Sequence, residues 1–589
     1  MSAEKLITDH IDIWTSAVQA KSASGRGSSK KRELYGIKKL RELILELAVR
    51  GKLVPQDPTD EPASVLLERI ATEKAQLVKE KKIKKPKALS NLSLENLPAL
   101  PDGWAWAHVQ DFTEYVQRGK GPKYADKGSV RVVSQKCVQN SGFDIEPARY
   151  VEDQSLENYQ EERYLKEKDL LWNSTGTGTV GRVNVLPVVE SKSLVADSHV
   201  TVLRPLLMNS RYIWCFLMSP GVQARINPDH EFSLVSGSTK QVELNTSSVV
   251  SLPVSVAPLN EQHRIVAKVD ELMALCDLLE QQTEASLDAH QVLVETLLAT
   301  LTNSQDATEL MANWARISEH FDTLFTTEQS IDQLKQTILQ LAVMGKLVPQ
   351  DPNDEPAAKL LERIAEEKAQ LVKEKKIKKQ KALPPIAEDE KPFELPKGWE
   401  WCYLQDLFSV VTDGDHQAPP KADSGVPFLV IGNLNTGNIK FESCKFVPEN
   451  YYQKLDWTRQ PTKGDLLYTV TGSYGIPIVV TEDKPFCVQR HVAILNSTKN
   501  TPIEFIRYAL LSKYSFDFAT SVATGIAQKT VPLSGLRRMP IPLPPKNEVV
   551  AILEKIELMM SICEQLKVHL KESQTTQLHL TDAIVEQAV

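Results

Sequence analysis

Glycine, histidine, cysteine and lysine supply the patterns in this sequence that could do chemistry. Gly176-Thr-Gly178-Thr-Val-Gly181 has the G-x-G-x-x-G spacing that brings a backbone close to a pyrophosphate at a helix N-terminus. That chemistry needs a helix next, whereas Arg182 to Val189 reads as a strand, so a glycine-rich hairpin is the better reading. No G-x-x-x-x-G-K-[ST] loop is present to cradle the phosphates of ATP. Asn227-Pro228-Asp229-His230 falls short of the Asn/Asp-Pro-Pro-aromatic signature of adenine methyltransferases. His199 and His491 stand at matching places, but acid–base work would need a partnered nucleophile or metal cluster, and neither is visible; a packing or phosphate contact is the better reading. The seven cysteines are scattered singly with no C-x-x-C pair, which reads as reduced, mostly buried thiols. Two lysine runs, Lys79, Lys81, Lys82, Lys84, Lys85 and Lys373, Lys375, Lys376, Lys378, Lys379, could neutralise phosphates; equally, each could be a solvated helix end leading into a linker.

The elements that must position these residues come in duplicate. A segment of near-identity begins at Gly51 (GKLVPQDPTDEPASVLLERIATEKAQLVKEKKIKKPKAL) and again at Gly345, with about five differences. Each copy continues into a Gly-Trp-x-Trp, at Trp104 and Trp399. Upstream, Ile7, His10 and Asp12 match Ile317, His320 and Asp322, and the first copy adds a Ser/Gly/Lys-rich tract before Tyr35 that reads as a flexible loop. A helix precedes each GKLVPQ, with Ile37, Leu40, Ile44 and Leu47 answered by Ile331, Leu334, Ile338 and Leu341; Gly51 and Gly345 then cap it. Downstream, Ile265, Val269, Leu272, Cys276 and Leu279 repeat every four and three residues, and Ile552, Ile556, Met559, Cys563 and Leu566 echo them. That spacing fits a coiled-coil seam, and over two heptads it fits the core face of an amphipathic helix as well. The chain is therefore one unit written twice: helix, basic linker, variable domain, long helix.

Length and composition agree with such a modular protein. At 589 residues the chain exceeds one core, and 42% hydrophobic with 25% charged residues is ordinary for globular proteins. No apolar run spans a bilayer and the N-terminus lacks a signal-peptide core, so a cytoplasmic location without membrane contact is expected. The net charge of −7 is awkward for a nucleic-acid binder unless cations are locally concentrated or a partner lends them.

Between the matched segments the copies diverge. Short β-branched runs alternate with Gly, Asn and Pro turns, such as VRVVS and DLLWNST in the first and VPFLVIGNLNTG and DLLYTVTG in the second. Asp169-Leu-Leu with Gly176 matches Asp465-Leu-Leu with Gly472, and His199-Val200 matches His491-Val492: one fold, two surfaces. The expected class is α+β, with two mixed, mostly β domains joined by long antiparallel coiled-coil helices and an internal two-fold pseudo-repeat. The expected divisions are a helical region with linker (1–99), a first variable domain (100–257), a central helical region with linker (258–394), a second variable domain (395–544) and a closing helical region (545–589).

Duplicated GKLVPQ helices, two divergent domains and closing helices opened by Asn-Glu at Asn260 and Asn547 resemble the specificity subunits of type I restriction-modification enzymes, and the subclass called type IB in particular. The resemblance implies that each variable domain is a target recognition domain reading half of a split, asymmetric DNA site. It implies that the helices set the spacer and dock two modification subunits, with two restriction subunits completing the enzyme. It also implies that this chain is not itself catalytic and holds no cofactor or metal, with S-adenosylmethionine, ATP and Mg on the partner subunits. Because Arg pairs with guanine and Asn or Gln with adenine in the major groove, polar loops beside Gly and aromatic residues are the expected DNA readers. In the first domain these are Arg118, Lys120, Lys123, Tyr124, Asn173, Thr175, Lys240 and Gln241; in the second, His416, Gln417, Lys421, Asn433, Tyr474, Arg490, Gln528 and Lys529. Leu272, Met273, Met559 and Met560 are the expected docking residues. The alternative is a tandem protein-binding scaffold, which suits the acidic charge; a nuclease with two diverged sites lacks a repeated carboxylate cluster.

Overall fold

The computed structural model describes residues 3–20, 32–92, 97–157, 159–176, 178–238, 241–416, 419–526 and 528–589. Residues 21–31 of the Ser/Gly/Lys-rich tract, Lys240 and Gln417 lie outside them. The chain is α+β and divides into two compact units, residues 1–286 with 573–589, and residues 287–572.

Unit 1 carries, in chain order, α1 (Tyr35–Val49), α2 (Ala63–Lys79), β1 (Ala105–His108), β2 (Thr113–Arg118), β3 (Tyr124–Ala125), β4 (Arg131–Val133), β5 (Arg149–Val151), β6 (Leu170–Asn173), β7 (Val183–Val185), β8 (Leu194–Ala196), β9 (Val200–Pro205), β10 (Val235–Ser238), β11 (Gln241–Leu244), β12 (Pro253–Val256) and the start of α3 (Leu259–Asn303). Unit 2 continues with α4 (Glu328–Val343), α5 (Ala357–Lys373), β13 (Glu400–Tyr403), β14 (Val410–Asp413), β15 (Val426–Leu429), β16 (Lys445–Val447), β17 (Leu466–Thr469), β18 (Pro477–Val479), β19 (Cys487–Val488), β20 (Val492–Asn496), β21 (Pro540–Leu543) and the start of α6 (Lys546–Ala588). The end of α3 belongs to unit 2 and the end of α6 to unit 1.

Each variable domain is built on an antiparallel four-stranded sheet, ordered β7-β6-β9-β2 in unit 1 and β14-β20-β17-β18 in unit 2. A smaller mixed sheet accompanies it, β8-β4-β5-β3 and β16-β15-β19, each with one parallel pair. Leu170, Leu171 and Trp172, like Leu466, Leu467 and Tyr468, are buried on both faces of their strand, which explains continuous apolar runs where alternation would mark a half-exposed strand. The glycine-rich segment 176–181 turns β6 antiparallel into β7, so a strand follows it, as its sequence indicates.

The helical parts follow from the 3.6-residue period. In α1, Ile37, Leu40, Ile44 and Leu47 are buried, and at about 1.5–3 kcal/mol for each large side chain this stripe is a main source of stability. Gly51 and Gly345 take left-handed φ values of 66° and 67°, and the next amides, Lys52 and Lys346, donate back to Leu47 and Leu341 carbonyls at 2.9 Å. That is the Schellman stop anticipated from the sequence, and only glycine adopts it without steric cost. The seam Ile265, Val269, Leu272, Cys276 and Leu279 is buried, and in unit 2 Met559, Cys563 and Leu566 pack with Ile331, Leu334, Ile338 and Leu341 of α4.

What reads as a basic linker contains a 17-residue helix in each copy, α2 and α5. Ala63, Leu66, Ile70 and Lys74 form its buried stripe in unit 1; Ala357, Leu360 and Ile364 are buried in unit 2. The amides of Ala63 and Ala357 donate to the carbonyls of Gly103 and Gly398 at 2.8 Å, fastening the helix to the first strand of its domain.

The three repeated signatures meet on one carboxylate. Trp104 Nε1 donates to Glu261 Oε2 at 3.0 Å and Gln56 Nε2 to Glu261 Oε1 at 3.2 Å; Trp399 and Gln350 bind Glu548 likewise at 2.9 and 3.2 Å. Each glutamate sits in the first turn of a long helix, where the dipole favours an anion. Burial nevertheless raises both carboxyl pKa values, against the lowering effect of the Gln and Trp donors. The clasp ties the GKLVPQ segment, the start of the variable domain and the long helix together. No described helix is long and apolar enough to cross a membrane.

Candidate nucleic-acid interface

The antiparallel register brings polar loops to one end of each large sheet. In unit 1, Thr201 of β9 faces Arg118 of β2, so β2 ends beside the start of β9, where His199 precedes Val200. The end of β6 joins them through the Ser174 amide, which donates to the His199 carbonyl at 2.8 Å. The β10–β11 hairpin arrives by a bridge between Thr175 and Glu243. Gly119 completes the junction: a Cβ there would stand 2.1 Å from the Asp197 carbonyl oxygen, so only glycine passes.

Around that junction lie several of the expected readers. Arg118 makes an ion pair with Glu243, and among the described residues its buried Nε meets no acceptor. Thr175 Oγ1 and His199 Nδ1 share a hydrogen bond of 2.6 Å. Lys120 is exposed, its ammonium 5.5 Å from the centre of the Tyr159 ring, while Tyr159 donates to the Lys120 carbonyl at 2.8 Å. Gln241 opens β11 on the same hairpin. Lys123 and Tyr124 belong to the smaller sheet; Lys123 is exposed 3.9 Å from Glu152, and the Arg149 guanidinium lies 4.0 Å from the Tyr124 ring centre.

Unit 2 repeats the junction with other side chains. Ala493 faces Asp413, the Val470 amide donates to the His491 carbonyl at 3.0 Å, and Thr471 bridges to Thr530. His416 is exposed, with Nε2 3.1 Å from Asp413 Oδ1, and Arg459 holds the adjoining Asp415 at 3.0 Å. Arg490 Nε donates to His491 Nε2 at 3.4 Å; burial and then the Arg490 charge lower the His491 pKa, favouring the neutral ring that accepts this bond. Gln528 and Lys529 are exposed beside Gly472, whose amide donates to the Lys529 carbonyl at 3.0 Å. Lys421 is exposed next to the smaller sheet, where Ala422 bridges to Phe446. Tyr474 instead stacks on Phe516 with ring centres 5.7 Å apart and bonds Thr520 at 3.0 Å.

Two expected readers are corrected by their burial. Asn173, 0% exposed, donates through Nδ2 to the carbonyls of Gln135 and Val138, both at 3.1 Å. Asn433 accepts from the Val430 amide at 3.0 Å and donates to the Lys440 carbonyl at 3.1 Å. Both satisfy buried backbone rather than facing outward. Residues that sequence reasoning did not select, Glu243, Asp415 and Arg459, complete the charged rims, with buried Asp413 holding His416 from beneath; apart from their polarity they carried no signal. His199 and His491 did carry one, as paired anchors.

The expected docking residues face inward to different degrees. Leu272 is buried, Met273 half-buried, and Met559 and Met560 pack on the unit 2 core, so in unit 2 the seam is covered from within by α4. Outward apolar groups on the long helices include Leu278, Leu558 and Ile562, 48%, 57% and 42% exposed, with Val292, Leu293, Val550, Val568 and Leu580 also exposed. Among the described residues no group of three or more His, Cys, Asp or Glu could hold a metal ion.

The chain matches the model of the type I restriction modification DNA specificity domain twice, over residues 101–289 and 396–572. It is 41% identical over 617 residues to the type I restriction enzyme EcoEI specificity subunit of Escherichia coli, and 41% identical over 613 residues to the EcoAI specificity subunit of the same organism, covering 100% of each chain in both comparisons. The crystal structure of the HsdS subunit from Thermoanaerobacter tengcongensis aligns with 84% of this chain and 99% of its own, at 16% identity and a TM-score of 0.38.

Proposed function

From the premise that this chain belongs to the family of type I restriction-modification specificity subunits, we propose that it reads a split, asymmetric DNA site, one half with each variable domain. The observation that carries this reading is the pair of sheet ends. Their backbones match residue for residue and Thr175 and His199 recur as Thr471 and His491, yet Arg118 and Glu243 stand where unit 2 has Asp413 and Thr530. Such sets offer different donors and acceptors to base edges, as recognition of two different half-sites requires. The readers are Arg118, Lys120, Thr175, Lys240 and Gln241 in the first domain, and His416, Gln417, Arg490, Gln528 and Lys529 in the second. Lys123, Tyr124, Lys421 and Tyr474 border them.

The domains act as the blocks 100–257 and 395–544, between the helical regions 1–99, 258–394 and 545–589. The long helices set the spacer and dock two modification subunits, with Met273, Leu278, Leu558 and Ile562 offered outward. Catalysis is delegated: S-adenosylmethionine belongs to the modification subunits, and ATP and Mg to two restriction subunits. The complex works in the cytoplasm. Methylome sequencing of a host expressing the system tests the reading, with a two-part motif interrupted by a spacer of fixed length expected. A continuous or symmetric motif would contradict it.

A further inference from the structure

The lysine runs are left unused by the base-reading surface. Each leaves the C-terminal end of α2 or α5 through a left-handed residue, Lys81 with φ 60° and Lys375 with φ 59°. Beyond that turn the backbone is fastened to the variable domain. In unit 2 the Trp457 indole donates to the Lys376 carbonyl at 3.0 Å, Gln380 Nε2 donates to the Ser409 carbonyl at 3.1 Å, and Ile377 is buried. In unit 1 Gln110 Nε2 donates to the Lys87 carbonyl at 2.8 Å. The preceding helices are pinned as well, by the buried amine of Lys74 on the Gln110 carbonyl and by that of Lys368 on the Gln405 carbonyl at 2.8 Å. The runs are therefore fixed edges of the domains.

Their charges are open. Lys82 and Lys376 pair with Glu80 and Glu374 at 2.8 and 2.9 Å. Lys84, Lys85, Lys378 and Lys379 are exposed, and among the described residues none of them has a carboxylate at ion-pair distance. A chain with a net charge of −7 must meet a polyanion through such local concentrations of cations.

Their position relative to the readers is set by one strand. Ser409 immediately precedes β14 and Gln110 lies in the short helix Val109–Phe112 that leads into β2; β2 ends at Arg118, and β14 ends at Asp413, three residues before His416. At about 3.3 Å per residue the four-residue strand of unit 2 spans roughly 13 Å and the six-residue strand of unit 1 roughly 20 Å, at or beyond the ~12 Å width of the major groove. A reading loop placed in the groove thus leaves the lysines level with the phosphates bordering it. The η-type turn Trp457–Arg459 links both sites, since Trp457 holds Lys376 while Arg459 holds Asp415 beside His416.

We propose that the two lysine runs are phosphate-contacting edges, each resting on the DNA backbone that borders the groove read by its own domain. This rests on the DNA-reading function proposed above. Phosphate contacts fix register and add affinity without sequence information, and their signature is salt dependence.

The test uses the full-length chain together with modification subunits expressed alongside it. Binding to a duplex carrying the site and to a random duplex is measured between 50 and 200 mM salt. Lys84→Gln, Lys85→Gln, Lys378→Gln and Lys379→Gln are combined in one variant, with the matching Lys→Arg variant as the charge-preserving control. If each lysine holds one phosphate, the slope of log K against log salt becomes shallower by roughly 3 to 4, and the affinity lost across that salt range shrinks by about 100-fold. The ratio of specific to random binding stays unchanged, and the Arg control keeps the original slope. An unaltered slope in a variant that melts normally overturns the proposal while leaving base reading intact. An unaltered slope with weakened capture of the modification subunits also overturns it, and assigns the lysines to a protein partner. Failure of the unsubstituted complex to prefer its site over the random duplex overturns the proposed function, and this inference with it.

Discussion

Arg118 and Asp413 occupy the same place in two copies of one sheet, opposite Thr201 and Ala493, and carry opposite charges. Both precede a glycine that slips under a neighbouring carbonyl, where a Cβ would stand 2.1 Å (Gly119) or 2.0 Å (Gly414) from the oxygen. The backbone is therefore held by register and close approach, while the side chain at the rim is free to change. A similar contrast lies deeper. Both Asp169 and its counterpart Asp465 accept from the amide three residues earlier, Lys166 at 2.8 Å and Thr462 at 2.9 Å, but Asp169 is gripped by Arg204 through two hydrogen bonds of 2.7 Å, whereas Asp465 accepts from the Ser497 amide at 2.9 Å and from Asn496, which stands in the position of Arg204, at 3.4 Å. The clasp, by comparison, is the same in both units. The recognition domains differ at their rims and inner anchors, and the joints that aim them are kept.

The largest separation of the two units should come from the buried pair. Arg204→Ala leaves buried Asp169 without its ion-pair partner, so unit 1 should lose about 3–5 kcal/mol in denaturant unfolding, against about 1 kcal/mol for Asn496→Ala in unit 2. Comparable losses would mean that the two anchors are energetically alike. For the clasp the expectation is symmetry: Trp104→Phe and Trp399→Phe each remove a donor from a buried carboxylate and should cost about 1–3 kcal/mol, equally within error. A several-fold difference would show that the joints are not equivalent.

At the rim the effect moves from stability to specificity. Arg118→Ala should relax one base position in a single half-site by about 1–3 kcal/mol, and His416→Ala should act on the other half only. Selection of bound sites from a randomised library reads this directly, and loss at both halves from one substitution would break the assignment.

The smallest effect concerns pH. Burial raises the folded-state pKa of Glu261 and Glu548, so across the window from 4.5 up to that raised value the folded state binds more protons than the unfolded one. The stability these groups contribute is full below that window and is lost as pH rises through it. Glu261→Gln with Glu548→Gln should flatten this part of the stability profile; a profile of unchanged slope would show that the clasp does not titrate there.

Periodicity made the seam of the long helices and the glycine-capped helices α1 and α4 legible, because local hydrogen bonding and burial dictate both. The docked helices α2 and α5 were hidden, since the charged run that follows and the glutamates within them mask the stripe of Ala63, Leu66 and Ile70. The clasp was illegible as a contact, although all its residues belong to repeated signatures: Trp104 and Glu261 are 157 residues apart. At the candidate interface, the repeat located the loops but not the roles. Asn173 and Asn433 have the chemistry of base readers, yet an amide that satisfies buried backbone carries the same donors and acceptors. Only the fold distinguishes the two uses.

The central claim is that the domains read separately on a shared frame. Exchanging residues 100–257 for the corresponding domain of another family member, with Gln56, Trp104 and Glu261 retained across the joint, tests it most directly by methylome sequencing. One half-site should change, while the other half and the spacer length stay as they were. A swap that alters both halves in a folded, active complex would contradict the account.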